Sequence, residues 1–206
     1  MSAPGTVFVV DDDQAVRDSL ALLVHSVGID AETFASAREF LDAYRPDRRG
    51  CLITDIRMPG MSGLELQEQL SSDGIAIPVI VLTGHGDVPA AVRALKGGAV
   101  DFVEKPFNPQ ALLDLIQQAI ARDTELREQA AREADVAERV ALLTPREQEV
   151  MALVVAGKAN KVVAIDLAIS ERTVELHRGR IMKKMQARSL AELMRIVLPP
   201  GDDTGK

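Results

Sequence analysis

Five short, mostly apolar runs at residues 6–10, 31–34, 51–54, 77–82 and 101–103 alternate with stretches whose apolar residues recur at helical spacing. A run that is apolar at nearly every position, not every second one, suits a strand buried on both faces. Parallel strands in turn need a crossover of a dozen or more residues between them, usually a helix. The intervening stretches, 14–27, 37–44, 63–70 and 88–96, supply such helices. In the first of them Val16, Leu20, Leu23, Val24 and Val27 form a core-facing stripe. Gly28, Gly50, Gly74 and the Gly97-Gly98 pair fall where helices should stop. The pattern predicts an α/β fold, a doubly wound parallel sheet with helices on both faces.

The residues just past the strands narrow the chemistry. Asp11 and Asp12 come after the first, Asp55 after the third, Thr83 after the fourth and Lys105 after the last. In an open parallel sheet the carboxyl ends of the strands meet at one crevice, and ligands bind there. Two unit charges ~4 Å apart repel by about 4 kcal/mol at an effective dielectric of 20. Such a cluster therefore needs a compensating cation. Lys105 is one, and an oxygen-only, incomplete cage suits Mg²⁺, which keeps waters and accepts a phosphate oxygen. A metal, an ammonium and a hydroxyl at one locus are equipped to hold a phosphoryl group. An acid after a strand can also merely cap the next helix, and Asp13 is read that way.

The net charge of −7 is unevenly spread. Residues 1–122 carry 10 basic and 17 acidic side chains (−7), residues 123–143 carry 3 and 6 (−3), and residues 144–206 carry 11 and 8 (+3). An acidic body with a basic end directs a polyanion to the C-terminal part. Aromatic content of 3% with no Trp argues against a stacking platform for single strands. Cys51 is the only cysteine, so no intrachain disulfide forms. No basic leader and no run of ~18–20 apolar residues is present, so a soluble, cytoplasmic, membrane-free protein is expected.

From Pro109 a helical pattern continues to about Val140, with no Pro or Gly in residues 110–143. Ile116, Ala119, Asp123, Leu126, Ala130, Glu133, Ala137 and Val140 fall at spacings of three and four. This reads as a semi-rigid solvated linker or as a short two-chain coiled coil. Beyond it, Thr144-Pro145-Arg146-Glu147 starts a helix over 145–156. Helices over 160–167, 171–185 (capped by Ser170) and 190–197 (capped by Ser189) come next, and 199–206 is expected to be a disordered tail. The second and third of these four helices, with the tight connection at 168–170, have the length of a helix-turn-helix. On the third, Val174, Ile181 and Met185 share a core face, and residues 171–188 hold six basic and two acidic side chains. A helix in the major groove uses such side chains for phosphates and base edges.

Val9-Val10-Asp11-Asp12-Asp13, Thr54-Asp55-Ile56-Arg57-Met58-Pro59-Gly60, Thr83-Gly84-His85-Gly86 and Lys105-Pro106-Phe107 resemble the receiver domain of bacterial two-component response regulators. Thr144-Pro145-Arg146-Glu147, Asn160-Lys161, Ile169-Ser170, Thr173-Val174, His177 and Lys184-Met185 resemble the LuxR/NarL-type DNA-binding domain. The whole chain is most similar to the FixJ branch. The resemblance implies a flavodoxin-like five-stranded sheet in the order 2-1-3-4-5, the order the receiver itself exemplifies. It divides the chain into a receiver (1–122), a helical linker (123–141) and a four-helix DNA-binding domain (142–198).

By the same resemblance, Asp55 would take a phosphoryl group from a sensor histidine kinase. Mg²⁺ would be held by Asp12, Asp55 and the Arg57 carbonyl, with Asp11 on its waters. Lys105 would meet the phosphoryl oxygens, Lys105-Pro106 would be cis, and Thr83 and Phe102 would form the switch, unless Phe102 is plain core. Glu175, Leu176 and Gly179 would face bases, with Arg172, Thr173, Arg178, Arg180, Lys183 and Lys184 nearer phosphates. A phosphorylated homodimer would bind double-stranded promoter DNA, with RNA polymerase a candidate partner. The chain would not be an enzyme beyond Mg²⁺-dependent phosphorylation and dephosphorylation of itself. A phosphohydrolase with Asp55 as nucleophile is the rival, but Arg57 stands where such enzymes place a second acid. A third reading is a receiver that regulates without phosphorylation.

Overall fold

The computed structural model describes residues 5–84 and 88–198. By its contacts the chain divides into two compact units, 1–127 and 128–206.

In the first unit, five strands form one all-parallel sheet: β1 (Thr6–Val10), β2 (Asp30–Phe34), β3 (Gly50–Asp55), β4 (Val79–Thr83) and β5 (Asp101–Glu104), in the order β2-β1-β3-β4-β5. The helices are α1 (Gln14–His25), α2 (Ala37–Ala43), α3 (Gly63–Ser72), α4 (Val88–Lys96) and the start of α5 (Pro109–Ala141). Successive strand side chains point to opposite faces, so each central strand feeds two cores. Phe8, Val10, Leu52, Val79 and Val81 pack with Phe34, Phe40, Leu66 and Leu70. Val7, Val9, Cys51, Ile53, Ile80 and Leu82 pack with Leu20 and Val24 of α1 and Leu112, Ile116 and Ala119 of α5. This double coverage is why β1, β3 and β4 are apolar almost throughout. Burial pushes the Cys51 thiol up to about 12, which leaves it inert.

Strand β4 begins at Val79, two residues after the expected start at 77. Pro78 has no N–H to donate to a ladder, and its carbonyl instead accepts from the Leu52 N–H at 2.9 Å. Helix α1 ends at His25 with Ser26 as C-cap, so Val27 is outside the helix and 42% exposed. Only Leu20 and Val24 of the expected stripe are fully buried.

Gly50 departs from its expected role as a helix stop. It opens β3 at φ +146°, where a Cβ would overlap the Thr6 carbonyl. Its N–H donates to Asp123 Oδ2 at 2.9 Å. Asp123, expected on a linker stripe, is 1% exposed and paired with Arg127 at 2.8 Å. The Arg127 guanidinium also donates to the carbonyls of Pro46 (2.7 Å) and Arg48 (2.6 Å). These bonds fasten α5 to the segment before β3, so the compact unit runs to Arg127 and not only to residue 122.

From residue 128 to 135, α5 is exposed all round. The second unit then builds α6 (Pro145–Val155), α7 (Asn160–Asp166), α8 (Glu171–Lys184) and α9 (Leu190–Val197). Their core is Leu143, Val150, Met151, Val154, Val163, Val174, Ile181, Met185 and Leu193. Thr144 and Glu147 form a capping box at α6, while Ser170 and Ser189 cap α8 and α9 as expected. The turn between α7 and α8 passes through Ala168 at φ +54°. The tail at 199–206 and residues 85–87 lie outside the described residues.

Candidate functional site

The register sets Val10 beside Thr54 and Thr83 beside Glu104. Asp11, Asp55 and Lys105 therefore stand at the ends of β1, β3 and β5, at one end of the sheet. That end is also where the strand order reverses around β1, the place such folds bind ligands. The backbone here is tied down: Asp11 N–H donates to the Phe34 carbonyl (3.2 Å), Ile56 N–H to Leu82 (3.0 Å) and Lys105 N–H to Thr83 (2.8 Å).

The Lys105 ammonium lies between two carboxylates, 2.8 Å from Asp11 Oδ2 and 2.6 Å from Asp55 Oδ1. Each carboxylate is held at its other oxygen as well. Asp11 Oδ1 accepts from the Asp13 N–H (2.9 Å) and Asp55 Oδ2 from the Arg57 N–H (2.6 Å). Burial alone would lower the Lys105 pKa, but its hydrogen bonds to Asp11 and Asp55 outweigh it and leave the group above its ordinary value. The lysine is thus a fixed cation at neutral pH.

The other expected residues lie on the same strands or on the segments that follow them. Asp12 is exposed, and its backbone carbonyl accepts from Arg17 at 3.1 Å. Asp13 caps α1 through the Ala15 N–H, as expected. Thr83 is buried, with its hydroxyl 3.1 Å from the Gly84 carbonyl and not on the Asp55 carboxylate. The Lys105-Pro106 peptide is cis. Phe102 is 39% exposed on β5, so it is not plain core. Among the described residues no group of three or more His, Cys, Asp or Glu side chains is placed to hold a metal ion by itself. The donors are nonetheless all hard oxygen, and an open set with a cation that keeps several waters is what Mg²⁺ uses. A depression of about 550 Å³ against α3, lined by Gly60, Met61, Glu65, Glu68, Gln69 and Ser72, shares none of these residues.

In the second unit, Arg172, Glu175, Leu176, Gly179, Arg180 and Lys183 are exposed. Their spacing of three and four places them along one face of α8. Three expected DNA contacts are engaged inside the unit. The Thr173 hydroxyl meets Ser170 Oγ at 2.8 Å, and Arg178 donates to Asn160 Oδ1 at 3.0 Å. The Lys184 ammonium is turned inward onto the buried Glu147 carboxylate (2.7 Å) and the Leu142 carbonyl (3.1 Å). That ion pair, with the Thr144 N–H, pulls the Glu147 carboxyl down to about 2. His177 is half-buried with Nδ1 facing no hydrogen-bond partner, which fits packing and not ligation. Arg146 reaches across to the Leu167 carbonyl and ties α6 to the end of α7.

Sequence reasoning missed the Asp123–Arg127 clamp and the Glu147–Lys184 pair. The charge complement at a spacing of four was visible for the first pair. Nothing in the sequence signalled the second, whose members lie 37 residues apart.

A parallel sheet in the 2-1-3-4-5 order, with an acidic crevice at its switch point and a separate helical unit carrying a basic helix, defines the class. Residues 7–117 match the response regulator receiver domain, and residues 141–197 match the bacterial regulatory proteins of the luxR family. Nodulation protein W of Bradyrhizobium diazoefficiens is 50% identical over 195 residues, 95% of this chain and 86% of that protein. Transcriptional regulatory protein FixJ of Azorhizobium caulinodans is 49% identical over 201 residues, 96% of this chain and 95% of that one. Among solved structures, response regulator StyR is similar at a TM-score of 0.85 and 48% identity, covering 95% of this chain and 98% of its own. Full-length FixJ from B. japonicum gives 0.60 and 44%, covering 96% and 97%. The chain belongs to the FixJ branch of the two-component response regulators, transcription regulators with a receiver and a luxR-family DNA-binding domain. Among the described residues no helix is long and apolar enough to cross a membrane.

Proposed function

We propose that this regulator is switched by phosphorylation of Asp55 by a sensor histidine kinase, and that the phosphorylated form dimerises and binds promoter DNA. The observation that carries the reading is the Lys105 ammonium shared by Asp11 and Asp55 at the sheet's switch point. An Asp55 carboxylate oxygen attacks the phosphorus of a phosphohistidine. The P–N bond breaks, its electron pair stays on the imidazole nitrogen, and an acyl phosphate forms on Asp55. Asp12, Asp55 and the Arg57 carbonyl would hold Mg²⁺, with Asp11 on its waters. When bound, the metal neutralises charge on the transferring phosphoryl oxygens. Lys105 supplies the second positive charge from a preset position, without reorganising.

The new dianion gives the Thr83 hydroxyl a stronger acceptor than the Gly84 carbonyl it now meets. Movement of Thr83 at the end of β4 then biases the α4–β5 face. Val92, Leu95 and Phe102 are 45%, 44% and 39% exposed on those two elements, apolar area suited to burial between two receivers. Two paired α8 helices would read a two-fold site. Incubation with a small radiolabelled acyl phosphate and Mg²⁺ tests the chemistry. Wild type takes up label and Asp55→Asn does not; equal labelling of both would overturn the assignment.

A further inference from the structure

Gly179 lies well inside α8, yet nothing in the protein requires a glycine there. Its backbone is not left-handed, and a Cβ built on it meets no atom within 4 Å. Glycine in a helix interior weakens the helix relative to alanine, so the folded chain carries a cost without an internal return. The space left open is on the exposed face shared by Arg172, Glu175, Leu176, Arg180 and Lys183. A helical side chain covers the surface over the turn N-terminal to its own Cα. The side chain missing at 179 therefore bares the helix over the turn of Glu175 and Leu176. Leu176 is itself 58% exposed, a large apolar group on an otherwise charged face. An apolar wall (Leu176) and a bare backbone floor (Gly179) make a notch, with Arg172, Arg180 and Lys183 around it.

We propose that this notch reads thymine, by packing the C5-methyl of one thymine per half-site against Leu176. The inference rests on the DNA-binding reading above and adds the base feature recognised. The thymine methyl is the apolar group that base edges present in the major groove. The cationic rim on the phosphates sets register and depth. Gly179 lets the helix backbone come close enough for the Leu176 side chain to reach that methyl.

The test uses full-length protein treated with a small acyl phosphate and Mg²⁺. Duplexes are selected from a random-sequence pool, and each thymine of the selected site is replaced in turn by deoxyuridine. One replacement per half-site is expected to weaken wild-type binding roughly fourfold, the scale of one buried methyl group. Leu176→Ala binds the two duplexes equally. Gly179→Ala loses roughly tenfold in affinity, within the range of one base-edge contact, while the free protein's helical unit melts a few degrees higher. Indifference of wild type to every deoxyuridine, or unchanged affinity of Gly179→Ala, overturns the proposal. Failure of wild type to select any duplex at low salt overturns the DNA-binding reading itself.

Discussion

Lys183 and Lys184 are neighbours in sequence with opposite surroundings. Lys183 is exposed on the proposed DNA face, whereas the Lys184 ammonium is bonded to the buried Glu147 and the Leu142 carbonyl. Lys183→Met should leave stability unchanged and reduce the salt slope of DNA binding by about 1 per protomer, as expected of a lost phosphate contact. Lys184→Met should instead destabilise the helical unit by roughly 3 kcal/mol, because it strands a buried carboxylate. Denaturant unfolding and salt-dependent DNA titration separate the two effects. The Glu147 carboxyl, pulled from 4.5 to about 2, also sets a pH dependence. A depressed carboxylate stabilises above its unfolded pKa and loses that contribution as pH falls through its folded one. The unit should therefore weaken between about pH 4.5 and pH 2, and Glu147→Gln should flatten that part of an acid titration. The sequence could not separate the two lysines, since which one turns inward depends on how α8 packs on α6. The crevice residues were legible because each stands at or just past the end of a recognisable strand.

At the scale of elements, strands and helices were readable where one physical signal dominated. Apolar runs of Val, Ile and Leu marked the central strands, while Ser and Thr caps marked α6, α8 and α9. Boundaries shifted where a second constraint acted, as at Pro78 before β4 and at Gly50, which close approach to Thr6 demands. Helix α5 gave the larger surprise: its Asp123 is buried and not part of a solvated stripe. Arg127→Gln should destabilise the sheet unit by roughly 3 kcal/mol, the scale of a broken buried pair. Amide exchange over residues 120–127 should rise with it; unchanged exchange would mean that the clamp does not hold the helix. In the turn between α7 and α8, Ala168 adopts a left-handed φ of +54° that disfavours a Cβ. Ala168→Gly should stabilise the helical unit by about 1 kcal/mol, measured by thermal unfolding.

Across the molecule, charge divides between an acidic sheet unit and a basic helical end, which suits the division proposed above between metal-assisted phosphoryl chemistry and a polyanion. Mg²⁺ binding to the folded state should raise the sheet unit's unfolding midpoint by mass action. Asp12→Ala should abolish that rise while leaving the Lys105 bridge in place. The architecture was legible in the sequence, because the strand-end residues and the basic helix are local patterns. The apolar exposure of Val92, Leu95 and Phe102, on which the proposed dimer face rests, was not legible in the sequence, since it is a property of packing. Titration of a selected duplex with the full-length protein, with and without acyl phosphate and Mg²⁺, joins the two ends of the molecule in a single readout. Tighter binding after treatment, accompanied by a dimer on sizing and absent in Asp55→Asn, is the expected result. Equal affinity of treated and untreated wild type, with a monomer in both, would contradict a phosphorylation switch.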